Sequence, residues 1–382
     1  MPMRTLALML SLLTTVPVTG AGLSSPPIHA PEAIVMDAAS GEVLFAKDAT
    51  TARPPASMTK LMTLYLVADA IEKGRVHLTD RVPVSMAAYK TGGAQIWLEP
   101  GEALPVSQLM RAIAIGSAND ACVAVAEHVA GSEAAFVDQM NQTARRLGMR
   151  GTHFANSHGL DDPHHLTTAR DMAVLARAVL EKPMIVKALV QREDRTIRNG
   201  RGGKLWIINH NKLLWRYPGI LGLKTGYTSG AGFCLTSAAH RQGMTVIAVV
   251  MGDATSKDRF EDAAALMNWA FQTHVLKLVV PGGKVLGHVT VAKGETERVA
   301  AVTPHDVRVM LAQGSKVKTR ITSHLKTSIP APVRAGERLG TVTAAVGDKR
   351  VSAPLVAKTS VARASLSRTF VHLLRGALHV GT

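Results

Sequence analysis

The sequence predicts a mixed α/β architecture: strands at both ends of a first domain enclose a helical insert, a small all-β domain follows, and an amphipathic helix ends the chain. Three observations carry this reading. Strand-like alternation occurs around Ile34 to Phe45 and returns only at Phe233, with helix-period runs between them. Beyond residue 275 the runs turn short and alternating. The 382 residues also exceed one ordinary domain.

The elements follow in order. Arg4, the apolar run from Leu6 to Val16, and small residues Gly20 and Ala21 have the form of an export signal over residues 1–21. Ser24-Ser25-Pro26-Pro27 marks a linker over 22–31. Ile34–Asp37 and Glu42–Phe45 read as strands joined through Ala39-Ser40-Gly41. Leu61, Leu64, Tyr65, Ala68 and Ile71 predict a helix from Ser57 to Lys73, stopped by Gly74. Residues 105–148 carry three helical stretches punctuated at Gly116-Ser117, Gly131-Ser132 and Gly148. Strands are expected over Phe233–Ala239 and Met244–Met251, then a helix over Asp258–Gln272, closing a first domain at 32–274.

Val285–Val291, Val307–Leu311 and Gly340–Thr343 place a small β domain at 275–359. In the last stretch, 360–382, Leu366, Phe370, Leu373, Leu374, Ala377 and Leu378 fall on one helical face and Arg363, Arg368, His372 and Arg375 on another. A helix of that kind, too short and charged to span a bilayer, suits the membrane interface.

Composition narrows the function. Basic residues give a net charge of +16, yet they are scattered without interleaved aromatics, which argues against a nucleic-acid partner and fits an anionic envelope surface. Only Cys122 and Cys234 are present, so a disulfide framework is excluded, while one bridge or two buried thiols both stay open.

The chemistry concentrates in three short elements. Ser57-Met58-Thr59-Lys60 sets a hydroxyl and an amine one helical turn apart. The same spacing recurs at Ser315 to Lys318 and Ser323 to Lys326, but only Ser57 follows a turn signal, Pro54-Pro55-Ala56, and opens a helix. Ser117-Ala118-Asn119 lies at a junction between helices, and Lys224-Thr225-Gly226 lies immediately before a strand. A second Lys-Thr-Gly, Lys90 to Gly92, lacks a strand and reads as a loop.

S-x-x-K, S-x-N and K-T-G in this order form the signature of penicillin-binding proteins and class A β-lactamases. With its local text, notably Ala56 to Thr63, Ser117 to Cys122 and Gly222 to Thr228, the chain resembles the low-molecular-mass penicillin-binding proteins that act as serine D-Ala-D-Ala carboxypeptidases, from its start to its C-terminal helix. The resemblance implies a β-lactamase/transpeptidase-like first domain. Ser57 would be the acylated nucleophile and Lys60 its base, with an amine pKa lowered by a second cation such as Lys224. Ser117 would relay a proton to the leaving amine, and Asn119 would hold the substrate backbone. The backbone N–H groups of Ser57 and Tyr227 would receive the oxyanion. Arg259, with Lys224, Thr225 and Gly226, would bind the substrate and its free carboxylate.

The implied substrate is the peptidoglycan pentapeptide, the implied inhibitors are β-lactam antibiotics, and no cofactor or metal is required. The implied place is the periplasm, on the inner-membrane surface through the C-terminal helix. Two rival readings carry less weight. A β-lactamase-like hydrolase would need a deacylating glutamate loop, and the segment after Met149 has none. A zinc D,D-peptidase would draw ligands from His153, His158, Asp161, Asp162, His164 and His165, but no H-E-x-x-H is present.

Overall fold

A computed structural model describes residues 25–198 and 203–365. Five strands make the main sheet: β1 (Glu32–Asp37), β2 (Val43–Lys47), β3 (Thr225–Thr228), β4 (Gly232–Arg241) and β5 (Met244–Asp253). All neighbours are antiparallel, in the order β2-β1-β5-β4-β3. Ile34 lies opposite Val249, and Ser237 opposite Ala248, so the N-terminal hairpin zips onto strands some 200 residues later. Strands at both ends of the domain thus enclose the helical insert.

Burial on both faces explains why the middles of β1, Ala33–Met36, and β5, Val246–Met251, are apolar without a break. Successive side chains point to opposite faces, and here both faces are covered. Ile34, Met36, Ile247 and Val249 enter a core made with the insert. Ala33, Val35, Val246 and Ala248 enter a second core with Phe260, Leu266 and Met267.

Five principal helices pack around the sheet: α1 (Lys60–Glu72), α2 (Asn119–Ala130), α3 (Glu133–Leu147), α4 (Ala169–Leu180) and α5 (Ser256–Thr273). Ser132, Thr168 and Thr255 cap α3, α4 and α5 by accepting the backbone N–H three residues on. Gly131 and Gly148 end α2 and α3 in the left-handed conformation, which confirms the expected punctuation. The insert also holds two small two-stranded pieces, Arg81–Pro83 with Ala103–Pro105 and Glu193–Asp194 with Ile207–Ile208, too short for the periodicity to reveal.

His274 to Val280 continues directly from α5 and pairs with Val307–Ala312. A six-stranded sheet follows, with its own core of Val280, Val289, Leu339, Val342 and Leu355. Lys349 ties this β domain to the first one, pairing with Glu42 at 2.6 Å.

Both ends of the described chain differ from the expected spacers. His29 and Ala30, inside the expected linker, donate backbone N–H groups to the buried Asp262 carboxylate at 2.6 and 2.7 Å. Val361 and Arg363, inside the expected terminal helix, bridge instead to Val333 and Gly294 of the β domain. The rest of that helix (366–382) and the expected export signal lie outside the described residues. Among the described residues no helix is long and apolar enough to cross a membrane. Cys122 and Cys234 are buried free thiols, and burial pushes them up to about 12 and about 11.

Candidate active site

Ser57 sits on a short turn, Ala56–Thr59, that leads into α1. The turn is held from several sides. Ala56 has a φ of 48°, a conformation that L side chains resist and that needs surrounding support. Ala155 N–H donates to Nδ1 of His165, whose Nε2 meets the Thr59 hydroxyl at 2.8 Å; that hydroxyl donates to the Ala56 carbonyl at 2.8 Å. The network assigns His165 as neutral with its proton on Nε2. Burial, then His158, keeps it so by lowering its pKa to about 4.

Two glycines let neighbouring backbone approach. A Cβ on Gly159, whose φ is +96°, would stand 1.9 Å from the Ala56 carbonyl oxygen, and one on Gly226 would stand 2.8 Å from that of Pro55. The third residue of K-T-G is therefore glycine because β3 lies directly against the Ser57 turn. The motif does not merely precede the strand: Thr225 and Gly226 are its first residues, paired with Leu235 and Cys234.

Lys60 is wholly buried, and its Nζ lies 2.8 Å from Ser57 Oγ, 2.7 Å from Asn119 Oδ1 and 2.5 Å from the His158 carbonyl. Burial lowers its pKa to about 8, while Cys122 and Asp120 act in the opposite sense. The cause therefore differs from the expected one: desolvation, rather than the charge of Lys224, shifts Lys60. Lys224 is itself buried, with its amine reaching the Thr225 carbonyl at 3.3 Å. Burial first, then the charges of Lys60 and Arg259, hold it well below an ordinary lysine.

Ser117 follows a π turn, Ala112–Gly116, and has a φ of 59°. Asn119 opens α2 and is pinned by its backbone N–H to Ala94 O at 2.7 Å and by its Nδ2 to Gly92 O at 2.7 Å. The second Lys-Thr-Gly thus ends in a loop that backs Asn119. Arg259, in the first turn of α5, donates to Gly226 O at 3.0 Å and to Ser256 Oγ at 3.2 Å. Burial lowers its pKa to about 10, so it stays charged at neutral pH.

Ser57, Ser117, Asn119, Thr225, Tyr227 and Arg259 line one cavity of about 250 Å³, which Gly226 borders and behind which Lys60 and Lys224 stand. The residues that the resemblance assigned to catalysis and substrate binding all gather here. His210, Gly93, Ala94, Gly159 and Leu160 also line it and were missed. The Gly92-Gly93 pair was the one sequence signal for that loop. His210 is open to solvent from the cavity while its walls crowd it; desolvation, then Lys224, Arg259 and Lys60, lowers its pKa.

The His-rich stretch forms the framework of the site. His158 supplies a carbonyl to Lys60, His165 braces the turn, and His153 Nδ1 contacts His164 O at 2.8 Å. Among the described residues no group of three or more His, Cys, Asp or Glu gathers as metal ligands would. The side chains that the zinc alternative would need therefore do not converge.

A serine hydroxyl against a buried amine, beside a second hydroxyl, an amide and a buried arginine, defines a site of the serine acyl-transfer class. Comparison with known proteins narrows this. The D-alanyl-D-alanine carboxypeptidase family matches residues 20–255, and the C-terminal domain of penicillin-binding protein 5 matches residues 275–363. The chain is 36% identical over 340 residues to D-alanyl-D-alanine carboxypeptidase DacF of Bacillus subtilis, covering 88% of this chain and 87% of that one. It is 35% identical over 351 residues to DacD of Escherichia coli, covering 89% of each. Among solved structures, penicillin binding protein 5 of Haemophilus influenzae superposes with a TM-score of 0.72 at 30% identity, over 90% of this chain and 100% of that one. The chain belongs to the serine D-alanyl-D-alanine carboxypeptidases of the penicillin-binding class, with an α/β domain followed by an all-β domain.

Proposed function

We propose that this chain removes the terminal D-alanine from peptidoglycan pentapeptide stems through an acyl-enzyme on Ser57, and that penicillins acylate the same hydroxyl. The observation that carries this is the environment of Lys60. A neutral amine has two N–H bonds and one lone pair. The Asn119 oxygen and the His158 carbonyl take the two N–H bonds, leaving the lone pair for the Ser57 hydroxyl.

Ser57 Oγ then attacks the carbonyl carbon of the penultimate D-alanine as its proton passes to Lys60. The oxyanion is received by the backbone N–H groups of Ser57 and Tyr227. The proton held by Lys60 returns through Ser117 to the departing amine, the C–N bond breaks, and D-alanine leaves. Water then hydrolyses the ester and restores Ser57. Arg259, with Lys224 and Thr225, receives the free carboxylate that marks the end of the stem, and Asn119 and Gly226 border the peptide backbone. In this reading residues 1–21 direct export to the periplasm, 32–274 form the catalytic domain and 275–359 the β domain. Residues 366–382, beyond the part that pairs with the β domain, rest on the periplasmic face of the inner membrane.

Labelling with a fluorescent penicillin tests the reading. The protein should form a stable adduct that Ser57→Ala abolishes, and D-alanine release should survive chelation with EDTA. An adduct that persists in Ser57→Ala, or maps to Ser315 or Ser323, refutes the nucleophile. Loss of release with EDTA, restored by zinc, restores the metal alternative.

A further inference from the structure

Aromatic residues are only 4% of this chain, and it has four tryptophans. Three of them, Trp97, Trp206 and Trp215, line one groove of about 780 Å³ and are 63%, 59% and 45% exposed. Clustered exposed indoles of this kind mark a binding surface. The groove opens off the catalytic cavity, sharing Gly93, Ala94, His210 and Arg259 with it.

Two of these residues are held before any ligand arrives, Trp97 at its backbone and Trp206 at its ring. Trp97 has a φ of 56°, and the N–H groups on either side of it, from Ile96 and Leu98, donate to the buried Asp120 carboxylate at 3.1 Å. Trp206 donates its Nε1 to Glu193 at 2.8 Å and carries the Arg195 guanidinium over its ring at 4.2 Å. Arg192 stands 5.8 Å from the Trp215 ring. Fixed side chains lose little entropy on binding.

The position of the groove selects its occupant. The groove is continuous with the cavity along Gly93, Ala94 and His210, so a stem peptide held in the cavity brings the polymer that carries it against the groove. What fits there is another part of the same polymer. Flat rings with apolar C–H faces and polar edges match exposed indoles, because the C–H dipoles meet the negative ring face.

We propose that this groove binds a saccharide chain of N-acetylated hexosamines, the glycan of a peptidoglycan strand, by stacking its pyranose rings on Trp97, Trp206 and Trp215. The inference rests on the carboxypeptidase reading and adds a glycan subsite to it. It makes the enzyme favour stems presented in polymer over free peptides.

The test uses the full chain and the variants Trp206→Ala, Trp215→Ala and Trp206→Tyr. D-alanine release is measured on a glycan-free D-Ala-D-Ala peptide and on soluble glycan-linked stems. Tryptophan fluorescence is titrated in parallel with an N-acetylglucosamine tetramer. Each alanine variant should raise KM on the glycan-linked substrate about three- to tenfold, the range for one aromatic stack. Trp206→Tyr should recover most of that loss, kcat/KM on the free peptide should stay within about twofold, and the tetramer should change the fluorescence. Equal losses on both substrates, unchanged KM on the glycan-linked one, or no fluorescence response overturns the glycan subsite. A concentration-dependent dimer that the alanine variants dissociate would also overturn it, assigning the face to a second copy. If the unaltered chain releases no D-alanine from the free peptide, the carboxypeptidase reading fails instead, while the fluorescence titration still reports on the groove.

Discussion

Raising the pH from about 7 to about 9 should accelerate acylation of Ser57 about tenfold and then bring it to a plateau, because Lys60 must be neutral to take the serine proton. Burial sets its pKa at about 8. With that value about one tenth of the amine is neutral at pH 7, half at about pH 8 and nine tenths at about pH 9. A lysine left at its ordinary 10.5 would instead give a rate still climbing about tenfold per unit at pH 9. The assay is the second-order rate constant for labelled penicillin, followed from about pH 6 to about pH 10 with the antibiotic's own hydrolysis subtracted. A flat profile across this range would refute Lys60 as the base, and a continued climb past pH 9 would refute its desolvation. Stability carries the same signature with a definite sign. The folded state binds the Lys60 proton less readily than the unfolded chain, so this group's penalty is constant below about 8 and is relieved as pH rises from there towards 10.5.

Gly159→Ala should destabilise the fold by about 3 kcal/mol in urea titration and slow penicillin labelling, since its Cβ would stand 1.9 Å from the Ala56 carbonyl and its φ is +96°; unchanged stability would mean that the turn has room to move. Arg259→Ala should raise KM about ten- to a hundredfold for a peptide ending in a free carboxylate, the range for one charged hydrogen bond, and leave the C-terminally amidated peptide nearly unaffected. Equal losses on the two peptides would place Arg259 outside carboxylate recognition. A chain ending at Ser365 should keep its D-alanine release but sediment less with anionic lipid vesicles than the full chain, and added salt should weaken the full chain's attachment. Equal sedimentation of the two would remove the membrane role of the C-terminus.

The order of elements was readable because burial imposes local periods. The apolar run of β5 from Val246 to Met251 announced a strand, and Gly131 and Gly148 announced helix ends. The reactive residues were readable too, because hydroxyl and amine lie within one turn at Ser57 and Lys60, and the other two motifs are equally short. The two-stranded pieces were not, since two or three residues make no period.

Other parts of the site have no local signature. The His158 carbonyl that meets Lys60 lies 98 residues away in the chain, and the Gly92 carbonyl that holds Asn119 lies 27 away. Arg259 reaches Gly226 only because β3 and the first turn of α5 meet at one end of the sheet. The low pKa of Lys60 belongs to no neighbour that a motif could name, because desolvation sums over every atom that excludes water from the amine. The three tryptophans, at positions 97, 206 and 215, likewise meet only in the folded chain. Residue type and short spacing therefore settled which groups could react, because those are properties of a few consecutive side chains. Packing settled their protonation, their strain and their shared cavity, because these depend on distances that only sheet register and helix docking determine.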